Sequence, residues 1–212
     1  MTYIISAAAI ALWVWLLLVL KKAGLRFWRF LLGSCGVFLL FMILLKPWLV
    51  LPLARLVAAI AGIFGKVTGF YQAYYRYGVI FIESAKGAIT VNIDLECSGF
   101  IEISAFVSLL SFYAVYNIPE RIYVGVIGFL YTLLTNSLRI SVICTMIHFL
   151  GTDYYYVAHT IVGRIIFYVL QVILYFFVFT KAHVLKMRTG DFTYTKKDEI
   201  VAKSGDKATL TI

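Results

Sequence analysis

Apolar positions in this chain come in long runs rather than in alternation. Residues 4–20, 30–45, 100–116, 122–150 and 158–179 are almost wholly apolar, and each approaches or exceeds the roughly 20 residues an α-helix needs to cross a bilayer. The pattern predicts an all-α polytopic membrane helical bundle. A further apolar segment, 52–67, carries Arg55 and Lys66, and Pro47 and Pro52 stand at its start, where they are expected to break the chain. This segment either lies at the membrane interface or forms another span. Between 68 and 96 aromatic and β-branched residues alternate with polar ones, over Tyr71–Ser84 and again over Ala88–Glu96, joined by Ala85-Lys86-Gly87. That alternation predicts a small external β-hairpin. Asn117-Ile118-Pro119-Glu120-Arg121 reads as a turn, and Tyr154–Tyr156 as an interfacial aromatic marker.

Composition agrees with the pattern. Of 212 residues, 63% are hydrophobic and 14% charged, against about 45–50% and about 25% in soluble domains. A soluble enzyme, a secreted disulfide scaffold and a disordered tail protein are excluded. The net charge of +9 does not point to nucleic acid, because the basic residues bracket the apolar runs as topology signals do. Lys21, Lys22, Arg26 and Arg29 crowd the first loop, and Lys181, Lys186, Arg188, Lys196, Lys197, Lys203 and Lys207 dominate the tail, so both are expected in the cytoplasm. Counting back from a cytoplasmic tail leaves the hairpin and Cys97 outside the cell membrane. Keeping the basic loop inside as well requires 52–67 to be interfacial, which gives five spans; six would put that loop on the wrong side. The first run lacks a basic leader and is followed by lysines, so it is expected to stay as an anchor. The chain divides into two N-terminal helices (1–46), a second membrane region (47–180) and a basic tail (181–212) whose lysines face anionic lipid.

Three cysteines, Cys35, Cys97 and Cys144, are too few and too scattered for a disulfide framework. Cys35 lies mid-span among small residues and is expected to pack there. Cys97 opens Cys-Ser-Gly at the outer start of a span, where free helix N-terminal amides favour a thiolate. Arg139 lies inside an apolar run, a costly position unless the charge is paired or useful. His159 opens the last span, so three polar residues from three helices are expected near one membrane face. A nucleophilic thiol, an imidazole base and a fixed cation form a set suited to acyl transfer. Asn136, one helical turn before Arg139, is placed to orient it or to contact substrate. Glu102 and Arg164 are at similar depth and either pair or contact substrate. Cys144 and His148 are i and i+4 on one helix face but sit in an apolar run without a third partner. Tyr71, Tyr74, Tyr75 and Tyr77 read as an interfacial belt. No metal-ligand spacing and no phosphate-binding loop appears, so no cofactor is expected.

The run Glu96-Cys97-Ser98-Gly99-Phe100, then Asn136-Ser137-Leu138-Arg139-Ile140, then His159 followed by Gly163, resembles the exosortase/archaeosortase family of membrane cysteine peptidases and transpeptidases. The resemblance extends over roughly residues 47–180, and the short chain looks like the compact Gram-positive type. It implies Cys97, Arg139 and His159 as the catalytic set, with Ser98, Asn136, Glu102 and Arg164 in supporting or substrate-binding places. It also implies protein sorting, in which a membrane-anchored protein with a C-terminal sorting signal is cut on the outer face of the membrane through a thioacyl intermediate. The acyl end then passes to water or to an acceptor such as a surface glycan. Glu96 stands where the family commonly has a small residue, and an adjacent carboxylate raises a thiol pKa. The competing class is a non-enzymatic membrane scaffold for surface-polysaccharide or glycoconjugate assembly, which leaves Cys97 and Arg139 without a role. A transporter is disfavoured by the absence of an inverted repeat.

Overall fold

The computed structural model describes residues 2–84 and 87–181, with side chains from residue 10 onward. Helix α1 (Thr2–Lys22) is apolar on every side, as a lipid-facing helix is. A tight turn through Gly24, in the left-handed region at φ 71°, reverses the chain into α2 (Arg26–Leu40). A π-helical turn at Phe41–Leu45 then leads directly into α3 (Lys46–Thr68). The helix therefore runs through both prolines instead of breaking at them. Pro47 falls at the first positions of α3, where its missing N–H is not needed, and the π-turn absorbs the local mismatch. Pro52 sits inside α3, a position membrane helices tolerate when neighbouring backbone adjusts.

After Gly69, three short strands form an antiparallel sheet in the order β1-β2-β3: β1 (Tyr71–Tyr74), β2 (Val79–Ser84) and β3 (Gly87–Asn92). Tyr71 pairs with Ile82, and Ile80 with Val91. The predicted hairpin has gained a strand, because a 3-10 turn at Tyr75–Tyr77, closed by Gly78 at φ 66°, folds the first alternating stretch on itself. The alternation places Tyr71, Ile80, Ile82 and Val91 on the buried face, and the sheet packs against α3 and α5. Tyr71 is accordingly no member of an interfacial belt. Its hydroxyl donates to the Ala61 carbonyl at 2.7 Å and meets Ser141 Oγ at 2.9 Å, pinning the sheet to two helices. Tyr74, Tyr75 and Tyr77 are exposed as the belt reading requires.

Helices α4 (Phe100–Phe112) and α5 (Ile118–Leu150) form an antiparallel pair. Asn117 and Glu120 make a capping box at the start of α5. Arg121 closes the turn by donating to the carbonyls of Ser111, Tyr113 and Tyr116, covering the C-terminal end of α4 with a cation. The two helices approach closely because Gly128 lies beneath the Phe106 ring. Beyond Gly151 a 3-10 turn (Thr152–Tyr154) and a π-helical turn (Val157–Val162) lead into α6 (Gly163–Tyr175). The chain divides after Leu174 into two units. Of the second, residues 175–181 are described, with Tyr175 stacked on Phe179; the predicted basic tail from residue 182 and the Ala85-Lys86 link lie outside the described residues.

Among the described residues, Arg26–Thr68, Ile118–Leu150 and Thr152–Lys181 are long and apolar enough to cross a membrane, and Phe100–Phe112 is a shorter apolar helix. The molecule is a polytopic membrane protein that carries a small three-stranded sheet. Its main core joins Val57, Ala58 and Ala61 of α3, Ile80 and Ile82 of the sheet, and Ile140, Ile143 and Ile147 of α5.

Candidate active site

The segment between β3 and α4 is held by its own polar groups. The backbone N–H of Cys97 donates to both the side-chain Oδ1 and the carbonyl of Asp94, each at 3.2 Å, and the Ser98 N–H reaches the same carbonyl at 2.8 Å. Ser98 Oγ donates to the Leu95 carbonyl and accepts from the Phe100 N–H, so Ser98 fastens the turn. Gly99 takes a left-handed φ of 77°, with Asn136 lying against it. From α5, Asn136 Nδ2 donates to the Cys97 carbonyl. Asn136, expected to orient Arg139 or to contact substrate, thus holds the cysteine's own backbone through Nδ2, and its Oδ1 is buried without a hydrogen-bond partner.

Against this turn, the π-helical turn brings His159 Nε2 to 3.0 Å from Cys97 Sγ. A π-turn shifts the side-chain register of a helix by part of a turn, and such turns recur at functional sites. Tyr155 stacks on the imidazole at 5.5 Å with an 18° interplanar angle, which fixes the ring plane. Arg139 is 3% exposed. Its Nη1 donates to the Glu96 carbonyl at 3.3 Å and its guanidinium lies 5.6 Å from the Phe167 ring centre, while Nε and Nη2 are buried without a hydrogen-bond partner. The sequence-predicted trio thus converges, with one imidazole on the thiol and two unpartnered guanidinium nitrogens of Arg139 nearby.

These features coincide with a family comparison, in which the model of the transmembrane exosortase family matches residues 1–176. The chain belongs to that family. No curated protein and no solved structure matches it. The exosortase match also takes in the two N-terminal helices, which lie outside the stretch that carries the resemblance in the motifs.

In this exosortase the Cys97 thiol, in the turn ahead of α4, is pushed up to about 12, first by burial; the Arg139 charge pulls the other way, and Asp94 and Glu96 add to the rise. The N–H groups of Cys97 and Ser98 are taken by Asp94 and that of Phe100 by Ser98 Oγ, and burial outweighs the other influences on the thiol. Arg164 pairs with Glu96 at 2.8 Å, not with Glu102. Equal depth does not give equal azimuth: Glu96 lies in the turn beside α6, whereas Glu102 points into the bundle with Oε2 buried and unpartnered. Two residues escaped the sequence reading, Asp94 and Tyr155. Asp94 had a signal, an Asx residue three positions before Cys97 in a strand-to-helix link; Tyr155 was hidden by its fit to an aromatic belt.

The remaining thiols and imidazoles are elsewhere. Cys144 is buried, and His148 Nδ1 instead faces the Glu83 carbonyl at 2.7 Å while its ring stacks on Phe70. Cys35 is exposed rather than packed, because its face of α2 is turned from the bundle. Among the described residues no group of three His, Cys, Asp or Glu side chains is placed to hold a metal ion.

Proposed function

We propose that this exosortase is a cysteine peptidase or transpeptidase acting on a C-terminal sorting signal, with Cys97 as nucleophile, His159 as acid and base, and Arg139 as oxyanion donor. The observation that carries the reading is the 3.0 Å contact between Cys97 Sγ and His159 Nε2, made by residues 62 positions apart. In the first half-reaction Sγ attacks the scissile carbonyl carbon while its proton passes to His159 Nε2. The tetrahedral oxyanion faces the unpartnered N–H groups of Arg139. Collapse breaks the C–N bond, the imidazolium proton goes to the leaving amine, and a thioester remains. In the second half-reaction His159 takes the proton of an incoming hydroxyl or amine, the C–S bond breaks, and that proton returns to sulfur. A neutral resting thiol suits this scheme, since proton transfer then accompanies attack and the idle enzyme is guarded from stray electrophiles.

Charge supports the sidedness. Arg121 marks the turn below α4, and Asn136 lies about 22 Å from it along α5 at 1.5 Å per residue, near the far boundary of a hydrocarbon core of about 30 Å. With the basic first loop and tail in the cytoplasm, the thiol opens to the outer surface. The substrate is a membrane-anchored protein, and the acceptor is water or a surface glycan.

The deciding experiment compares cells carrying the parent protein with cells carrying Cys97→Ala, using mass spectrometry of membrane and surface proteins. A protein with a trimmed C-terminus is expected only with the parent. Matching profiles from equally expressed, folded proteins, in the presence of native gene neighbours, would overturn peptide processing.

A further inference from the structure

At the end of the bundle away from Cys97, the α1–α2 and α4–α5 turns flank an open cavity of about 430 Å³. Three cations from three helices line it: Lys21 in the last turn of α1, Arg29 in the first turn of α2 and Arg121 in the first turn of α5. Among the described residues no carboxylate lines it. Below them Val14, Leu17 and Leu18 make an apolar wall. Like charges gathered round one space repel one another unless something negative enters. Arg121 is already committed through both Nη groups to three carbonyls, so it is a fixed positive wall rather than a mobile side chain. Among the described residues nothing accepts from the Lys21 or Arg29 side chains, so both retain their donors for a ligand. Positive groups at the rim with hydrocarbon beneath match one chemistry, a phosphate that carries an acyl chain.

We propose that this cavity binds an anionic phospholipid, with Lys21 and Arg29 on the phosphate oxygens and an acyl chain along Val14, Leu17 and Leu18. The site is independent of the catalytic reading and stands or falls without it. A phosphate could also arrive free in solution, and the apolar wall argues for the lipid. A site so placed ties the α1–α2 turn to the α4–α5 turn through a bound lipid, and so links the N-terminal helices to the pair that carries the catalytic segment.

The test uses the full chain purified in detergent. Native mass spectrometry and thermal unfolding are recorded with phosphatidylglycerol, with phosphatidylcholine of the same acyl chains, and with inorganic phosphate. Phosphatidylglycerol is expected to be retained and to raise the melting temperature, and the other two are not. Lys21→Gln with Arg29→Gln is expected to weaken phosphatidylglycerol binding about 30-fold, at the energy typical of a basic residue meeting anionic lipid. Leu17→Trp, which fills the apolar wall, is expected to lower retention of the lipid while leaving the cations in place. Equal retention of the two phospholipids by the parent protein overturns the proposal without recourse to any variant. Undiminished binding by the double variant does the same, and so does inorganic phosphate that displaces phosphatidylglycerol.

Discussion

Cys97 has an acid one position before it, Glu96, and another three positions before it, Asp94, yet only Asp94 bonds to its backbone. Asp94 therefore does two things at once: it shapes the turn and it opposes ionisation of the thiol. Asp94→Asn keeps an oxygen acceptor for the Cys97 N–H but removes the charge, so the thiol pKa should fall and more thiolate should exist at a given pH. Iodoacetamide alkylation at Cys97, followed peptide by peptide against pH, is expected to shift to lower pH in Asp94→Asn. An unchanged profile would mean that the carboxylate does not act on the thiol. Arg139→Ala removes donors that are buried and otherwise idle, and loss of such a donor typically costs about 2.7–4 kcal/mol of barrier. Processing is therefore expected to fall by about 100- to 1000-fold; near-normal turnover would remove Arg139 from the chemistry. Cys97, Arg139 and His159 were legible because polar groups among apolar residues are costly and so informative. The partner of Arg164 was not, because sequence spacing gives depth along a helix but not the direction a side chain faces.

At the level of elements, the sheet is attached to the bundle through one buried face, the Tyr71 hydroxyl and the contact of His148 with the Glu83 carbonyl. Tyr71 is 3% exposed, and its OH serves both the Ala61 carbonyl and Ser141 Oγ. Tyr71→Phe should destabilise the folded protein by about 1–3 kcal/mol, the usual penalty when buried polar groups lose a partner. The effect is read as a lower melting temperature in detergent, and a variant as stable as the parent would show that the hydroxyl is not an anchor. The alternation that predicted strands was correct in kind. Its count fell short because a turn of three ordinary-looking residues, Tyr75–Tyr77, carries no strong breaker other than Gly78. The prolines misled in the opposite direction. Pro47 and Pro52 read as breaks, but a proline at a helix start leaves no donor unmet, and the π-turn before Lys46 lets one helical run continue from Arg26 to Thr68.

For the molecule as a whole, sidedness is the property most exposed to a direct check. Tyr77→Cys in the turn between β1 and β2 and Lys22→Cys at the end of α1, each in a Cys35→Ser background, are expected to differ in intact cells. An impermeant maleimide should label the first and spare the second; the reverse result would turn the protein over in the membrane. That the chain is a membrane bundle could be read from run lengths, since lipid imposes them. Where α3 runs relative to the bilayer could not, because its residues are apolar enough for either placement. The unequal lengths of α4 and α5 carry a last consequence. With 13 residues, α4 rises only about 20 Å, whereas the 33 residues of α5 extend about 50 Å. The shorter helix acts as a ruler: it sets the height at which the thiol waits, while α5 and the sheet stand past it. Under the proposed function, a polypeptide held in the same bilayer is measured before it is cut, and adding one turn to α4 is expected to move the cleavage point along the substrate.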